Sequence, residues 1–257
     1  MSPVTAPMPA ACHAGAMSLL AYHGRAQLKA HYLGKAEFHE WIDAFEKGLY
    51  WDPQVRRGCA VGCWSQDPTG GHAALAADMG VPEELLRLAD GLFEALPDPA
   101  FKHWPGRFAQ AIAPGADLGG VWAQLLQWML FDPQWGLAAL SRRRGHEPVF
   151  GEVEAYFDWK AEGLEAPPTL EAGLGQAIDA MVGALSQWKS WDEFAREDVR
   201  ARKALTTVWK ARHNGPRELD QAAWACRAAW SAHEAYTSAQ AQALLGFLEQ
   251  APLLIES

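Results

Sequence analysis

The residues whose types and spacing best suit chemistry are Cys59, Cys63 and His72. The two cysteines are four positions apart, so they would share one face of a helix, or they could converge within a glycine-flanked loop. Two sulfurs and an imidazole are ligands that zinc accepts in tetrahedral geometry. The fourth ligand could be Asp67, His39 or a water molecule, and the sequence does not decide among them. One interpretation of this stretch is therefore a zinc site formed by Cys59, Cys63 and His72.

A second interpretation of the same stretch is a thiol-dependent enzyme. Cys59 or Cys63 would be the nucleophile and His72 its base, while Arg56 and Arg57 would lower the thiol pKa and receive an anionic group. The sequence offers no third residue that orients the histidine. A third, purely structural interpretation treats the glycines as sites of close backbone packing and the cysteines as small buried hydrophobes. The sequence alone leaves all three interpretations open.

Other residues near this stretch are candidates for binding. Trp51 and Trp64 flank the cysteines and would form the walls of a pocket. Asp90 and Glu94, four positions apart on a predicted helix, could serve as ligands or as an acid–base pair, although such residues more often form a solvated helix face. The sequence has no phosphate-binding loop, dinucleotide glycine fingerprint, G-x-S-x-G motif or kinase motif set, which disfavours the common nucleotide-dependent and hydrolase classes.

The composition is that of a globular protein, with 49% hydrophobic and 21% charged residues among 257. The net charge of −9 disfavours nucleic acid as a partner, because neutralising phosphates needs a basic surface. The chain contains 13 tryptophans, which are either core anchors or a binding face. Four cysteines do not form a disulfide framework, and no apolar run reaches the roughly 18 residues of a membrane span. The beginning of the chain is a poor signal peptide, so we expect a cytoplasmic protein without membrane contact.

The apolar residues recur at helical spacing, and no stretch alternates with period two, so we predict helices and no sheet. Residues 37–47 form a predicted helix whose stripe of Phe38, Trp41, Ile42 and Phe45 would be buried, and Gly34 would separate it from a preceding helix. Four further helices are predicted after the cysteine stretch, the third interrupted near Pro105 and the last capped by Asp117: Ala73–Met79, Pro82–Leu96, Phe101–Ile112 and Leu118–Phe131.

The predicted fold class is all-α, with a multi-helix N-terminal domain around a Cys/Gly loop, followed by a long antiparallel helical hairpin. Residues 1–16 would be a disordered tail, with Met1 or Met17 as the true start, and residues 17–165 would form the helical domain that contains Cys59, Cys63 and His72. The break at 166–169 would precede the hairpin of residues 169–257. Its two alanine-rich helices would cover about 170–212 and 217–250.

Specific residues carry a resemblance to a known family. The pair Tyr50-Trp51 precedes Gly58-Cys59-Ala60-Val61-Gly62-Cys63, and a nearby histidine is followed by segments at 80–97 and 115–118. This arrangement resembles a family of uncharacterised bacterial and bacteriophage proteins that end in an alanine-rich helical tail. The resemblance covers residues 19–133, and the tail by composition only. It implies a microbial or phage origin and no particular reaction.

Two functions follow as expectations. The first is a binding or regulatory module, a phage- or prophage-associated accessory factor that acts through protein–protein contacts. The second is a small metal- or thiol-dependent enzyme centred on Cys59, Cys63 and His72, with zinc as the metal. The residues expected to bind a substrate or partner are Trp51, Arg56, Arg57, Trp64 and Glu94. The sequence does not determine an oligomeric state.

Overall fold

The computed structural model describes residues 20–137, 139, 197–214, 216–230 and 232–254. These residues are mostly helical, with one two-stranded antiparallel sheet. The helices are α1 (Ala26–Trp41), α2 (Ala60–Ser65), α3 (His72–Met79), α4 (Glu83–Ala95), α5 (Ala100–Ala111), α6 (Val121–Phe131), α7 (Glu197–Asn214), α8 (Leu219–Ala229) and α9 (His233–Glu249). The strands are β1 (Trp51–Asp52) and β2 (Arg57–Gly58).

The prediction that the chain contains no sheet is wrong. Trp51 pairs with Gly58 and Asp52 pairs with Arg57, and Phe45 forms an additional bridge to Gly58. Strands of two residues are too short for a period-two pattern to be visible in the sequence. This two-stranded ribbon of β1 and β2 lies directly before α2, so it fixes the backbone from which Cys59 and Cys63 project.

Helix α1 differs from its prediction in two ways. It passes through Gly34 without a break, although glycine in a helix interior costs about 1 kcal/mol relative to alanine. The predicted buried stripe is also wrong, because Phe38, Trp41 and Ile42 are exposed and only Phe45, which lies beyond the end of the helix, is buried. Helical spacing shows which residues share a face, but it does not show whether another element covers that face.

Helices α4 and α5 form the centre of the N-terminal core. Pro82 precedes α4, and Glu83 and Glu84 occupy its first turn. Their negative charges interact favourably with the positive end of the helix dipole. Helix α5 continues through Pro105, contrary to the predicted interruption. The two helices pack against each other, and Trp104 Nε1 donates to the Ala89 carbonyl oxygen at 2.8 Å. Five apolar residues of α4 and its C-terminal cap are buried: Leu85, Leu88, Leu92, Phe93 and Leu96.

The C-terminal helices pack on the N-terminal ones within the same buried cluster. Helix α7 lies along α8, while α8 packs on α4 and α9 packs on α5 and α6. The second helix of the predicted hairpin is two helices, since the described chain leaves α8 at Trp230 and enters α9 at His233. The predicted tail and the predicted domain boundary at 166–169 lie outside the described residues. No helix in the described ranges combines the length and apolar character that crossing a bilayer requires.

Candidate functional sites

The glycines at positions 58 and 62 allow the chain to pack unusually closely at the cysteine stretch. A Cβ atom on either glycine would overlap the carbonyl oxygen of Tyr50, so no other residue fits there without a backbone shift. The Cys59 amide donates to the Leu49 carbonyl oxygen at 2.6 Å and thereby fastens the start of α2 to the strand region. The glycine spacing in the sequence therefore reflects close packing around Tyr50.

Both thiols are buried and satisfied locally. The Cys59 side chain caps α2, with Sγ 3.5 Å from the Gly62 amide that donates to it. The Cys63 Sγ donates to the Gly58 carbonyl oxygen at 3.4 Å. Burial raises the pKa of the Cys59 thiol far above its ordinary value, and the nearby Asp90 carboxylate raises it further. Burial also raises the pKa of Cys63 to about 12. Both groups are therefore neutral thiols at physiological pH.

His72 contacts a carboxylate in place of the cysteines. Its Nε2 lies 3.1 Å from Oδ2 of Asp90, and both side chains are about one-fifth exposed. Asp90 also interacts with Cys59 and raises the pKa of its thiol. Among the described residues, no group of three or more His, Cys, Asp or Glu side chains is arranged to hold a metal ion. The structure therefore does not support zinc at Cys59, Cys63 and His72.

The residues predicted to surround the cysteines have separate roles. Trp51 packs edge-on against His39, with ring centroids 5.8 Å apart, and Trp64 packs on Phe108 at 5.9 Å. Arg57 lies 3.8 Å from a carboxylate oxygen of Glu46. Both tryptophans are buried in the core of the described residues.

Arg56 and Glu94 were also predicted to bind a substrate or partner. Arg56 is exposed in the turn of the ribbon, and its charge lowers the pKa of His39 as a minor contribution beside burial. Neither Arg56 nor Arg57 is among the groups that shift the pKa of Cys59 or Cys63. Both carboxylate oxygens of Glu94 accept from the Gly48 amide, at 3.0 and 3.1 Å, which holds the chain entering the ribbon against α4.

A cleft of about 590 Å³ lies between α4, α7, α8 and the start of α9. Glu94 and Asp220 contribute carboxylates to it, and Lys203 and Arg227 contribute cations. Arg227 is only 3% exposed, and it donates to Gln240 Oε1 at 2.9 Å. Burial raises the pKa of Asp220, and the Arg227 charge opposes that rise. Since both charge signs line the cleft, its chemistry does not select one class of ligand.

The feature that sequence reasoning missed is an exposed apolar surface at the C-terminal end of α1. It consists of Phe38, Trp41 and Ile42, which are 41%, 81% and 37% exposed, and we refer to these three residues as the α1 patch. The Phe38 and Trp41 rings are neighbours, with centroids 6.3 Å apart. By contrast, Trp64 and Trp104 are each 1% exposed. The periodicity of these residues predicted the face correctly but not its exposure.

The α1 patch rests on a well-packed support. His39, which lies beneath it, is fully buried, and its Nδ1 is 2.7 Å from the Lys35 carbonyl oxygen. The His39 ring contacts both Phe38 and Trp51 edge-on, at centroid distances of 5.6 and 5.8 Å. The patch is therefore presented by a regular helix anchored to the ribbon.

Comparisons with protein-family models, with curated proteins and with solved structures gave no match to this chain. The resemblance to the bacterial and bacteriophage family consequently stays an expectation from the sequence. The interpretation of the candidate sites depends on their geometry.

Proposed function

We propose that this protein is a binding module that contacts a protein partner through the α1 patch. The observation that carries the proposal is the exposure of Trp41, which presents 81% of its surface to solvent beside Phe38 and Ile42. Tryptophan is enriched among the residues that dominate binding energy at protein interfaces. A contiguous exposed apolar surface is also a recognised mark of interaction sites.

The amount of apolar surface supports this role. An aromatic side chain of this kind buries about 200 Å² when fully covered. Covering the exposed 81% of Trp41 would remove about 160 Å² from water, or about 4 kcal/mol before the costs of association are subtracted. Phe38 and Ile42 would add smaller areas. Because the helix holds the patch in place before binding, little ordering entropy opposes the contact.

The metal- or thiol-dependent enzyme expected as the alternative has no comparable support. A nucleophilic cysteine needs a lowered pKa, whereas burial raises the pKa of both Cys59 and Cys63. His72, the expected base, is hydrogen-bonded to Asp90, a partner that could orient a base, but no hydrogen bond joins His72 to the sulfur of Cys59 or Cys63. The partner that we propose is a host or phage protein, and this part of the proposal comes from the family resemblance of the Tyr50–Cys63 stretch.

The proposal is tested by affinity capture with a matched pair of variants. The purified full chain, Trp41→Ala and Trp224→Ala are immobilised separately and exposed to a bacterial lysate. Trp224 is a suitable control because it is also exposed, at 54%, but lies on α8. We expect a protein that is retained by the wild type and by Trp224→Ala and lost from Trp41→Ala. Capture of the same proteins by Trp41→Ala and the wild type would contradict the proposal.

A further inference from the structure

A groove of about 520 Å³ lies between α1, α5 and the C-terminal end of α9. Its apolar lining is contributed by Leu33, Ala111 and Leu245, one from each of the three helices. Leu245 and Ala111 are buried and Leu33 is half-buried, so the floor of the groove is continuous with the core. The groove therefore has an apolar floor, and its remaining lining residues are mostly polar or charged.

The charged residues of the groove are mostly acidic. Three carboxylates, from Glu37, Glu40 and Glu249, line it together with one permanently charged cation, Arg107. The Arg107 guanidinium donates to Gln242 Oε1 at 2.8 Å. A carboxylate oxygen of Glu40 lies 2.8 Å from Nδ1 of His103. The other two carboxylates of the groove belong to Glu37 on α1 and Glu249 on α9.

These two carboxylates have no counterpart in the described part of the chain. The side chains of Glu37 and Glu249 are exposed, and neither makes an ion pair or hydrogen bond to a described residue. Glu37 is also four residues before Trp41, so the two side chains are neighbours on the helix surface. The acidic edge of the groove is thus continuous with the α1 patch.

We infer that the occupant of this groove is a basic amphipathic segment of a protein partner. Its apolar side chains would lie on Leu33 and reach the α1 patch, and its Lys or Arg side chains would pair with Glu37 and Glu249. A helix laid in a groove through apolar residues on one face is an established mode of peptide recognition. Complementary charges at the rim select the partner and raise the association rate. The inference rests on the proposed function, because it names the partner chemistry of the same surface.

The test uses labelled synthetic peptides of about 18 residues, long enough for a helix of about 27 Å. One peptide carries leucine and lysine at helical spacing, the second has glutamate in place of lysine, and the third has serine in place of leucine. Binding to the full chain is followed by fluorescence anisotropy. We expect the leucine–lysine peptide to bind and the other two to bind at least tenfold more weakly.

Charge variants locate the binding site. We expect Glu37→Gln/Glu249→Gln to weaken binding of the leucine–lysine peptide roughly three- to tenfold, as for two partly exposed ion pairs. The control Glu84→Gln/Glu234→Gln removes the same charge away from the groove and should leave the affinity unchanged. Equal weakening by both double variants would show attraction to the overall negative charge and would overturn the inference. Equal binding of the glutamate peptide would also overturn it.

Two outcomes separate this inference from the proposed function. If Trp41→Ala loses a captured partner but the leucine–lysine peptide does not bind, the binding module stands and the basic partner does not. Sedimentation of the chain as a dimer that Glu37→Gln/Glu249→Gln dissociates would identify the occupant as a second copy and overturn the inference.

Discussion

Replacing Trp41 with alanine should change the free energy of unfolding by less than about 1 kcal/mol, whereas the same change at Trp104 should lower it by about 3–5 kcal/mol. The two residues have the same side chain and both lie in helices, α1 and α5. They differ in exposure, which is 81% for Trp41 and 1% for Trp104. The comparison therefore tests whether the α1 patch is free in the isolated protein.

The magnitudes follow from burial. Trp41 buries only about one-fifth of its own surface of about 200 Å². Replacing it with alanine therefore costs about 1 kcal/mol of apolar burial, and the higher helix propensity of alanine returns roughly 0.5 kcal/mol. Trp104 loses nearly all of its burial and leaves a cavity. The substitution also removes the buried hydrogen bond from Nε1 to the Ala89 carbonyl oxygen, and such a bond contributes about 1 kcal/mol to stability.

Urea unfolding followed by circular dichroism measures both changes. The dependence of the unfolding free energy on urea should stay constant, since neither substitution changes the surface exposed on unfolding by much. In a chain of this size, we expect the Tm of Trp104→Ala to fall by roughly 6–20 °C. A loss of more than about 2 kcal/mol in Trp41→Ala would mean that Trp41 is packed in the free protein. That result would refute the exposure on which the proposed function depends.

Two further predictions concern the cysteine stretch. Gly62→Ala should destabilise the protein by more than about 2 kcal/mol, because the added Cβ would overlap the Tyr50 carbonyl oxygen. Gly34→Ala, with open space around it, should be neutral or should stabilise the protein by up to about 1 kcal/mol. Thermal unfolding measures both variants, and equal effects would contradict the close packing at Gly62. The pKa values of the Cys59 and Cys63 thiols are raised in the folded protein, so the unfolded chain loses these protons at lower pH than the folded one. The thiols therefore contribute fully to stability below about pH 9, and the contribution is lost as the pH rises toward 12, by about 1.4 kcal/mol per pH unit per thiol. Urea titrations from pH 8 to about pH 10.5 should show this decline, smaller in Cys63→Ala, and a flat profile would contradict it.

Local signals in the sequence determined much of the helical architecture. Helix α4 follows from Pro82, two glutamates in the first turn and a leucine stripe, all of which act within a few residues of one another. At the cysteine stretch, by contrast, the sequence leaves a helix and a glycine-flanked loop open, and the structure forms α2 there. The sequence also located a stretch of close glycine and cysteine packing, although it left open what the sulfurs do.

Tertiary structure alone decided which helix faces are covered. Phe38, Trp41 and Ile42 have the spacing of a buried stripe, but no described element packs over them. His72 pairs with Asp90, 18 residues later in the chain, and Glu37 lines the same groove as Glu249. Periodicity reports only the direction in which a side chain leaves its own helix. What lies in that direction depends on how the helices are arranged in space, and no local sequence pattern encodes it.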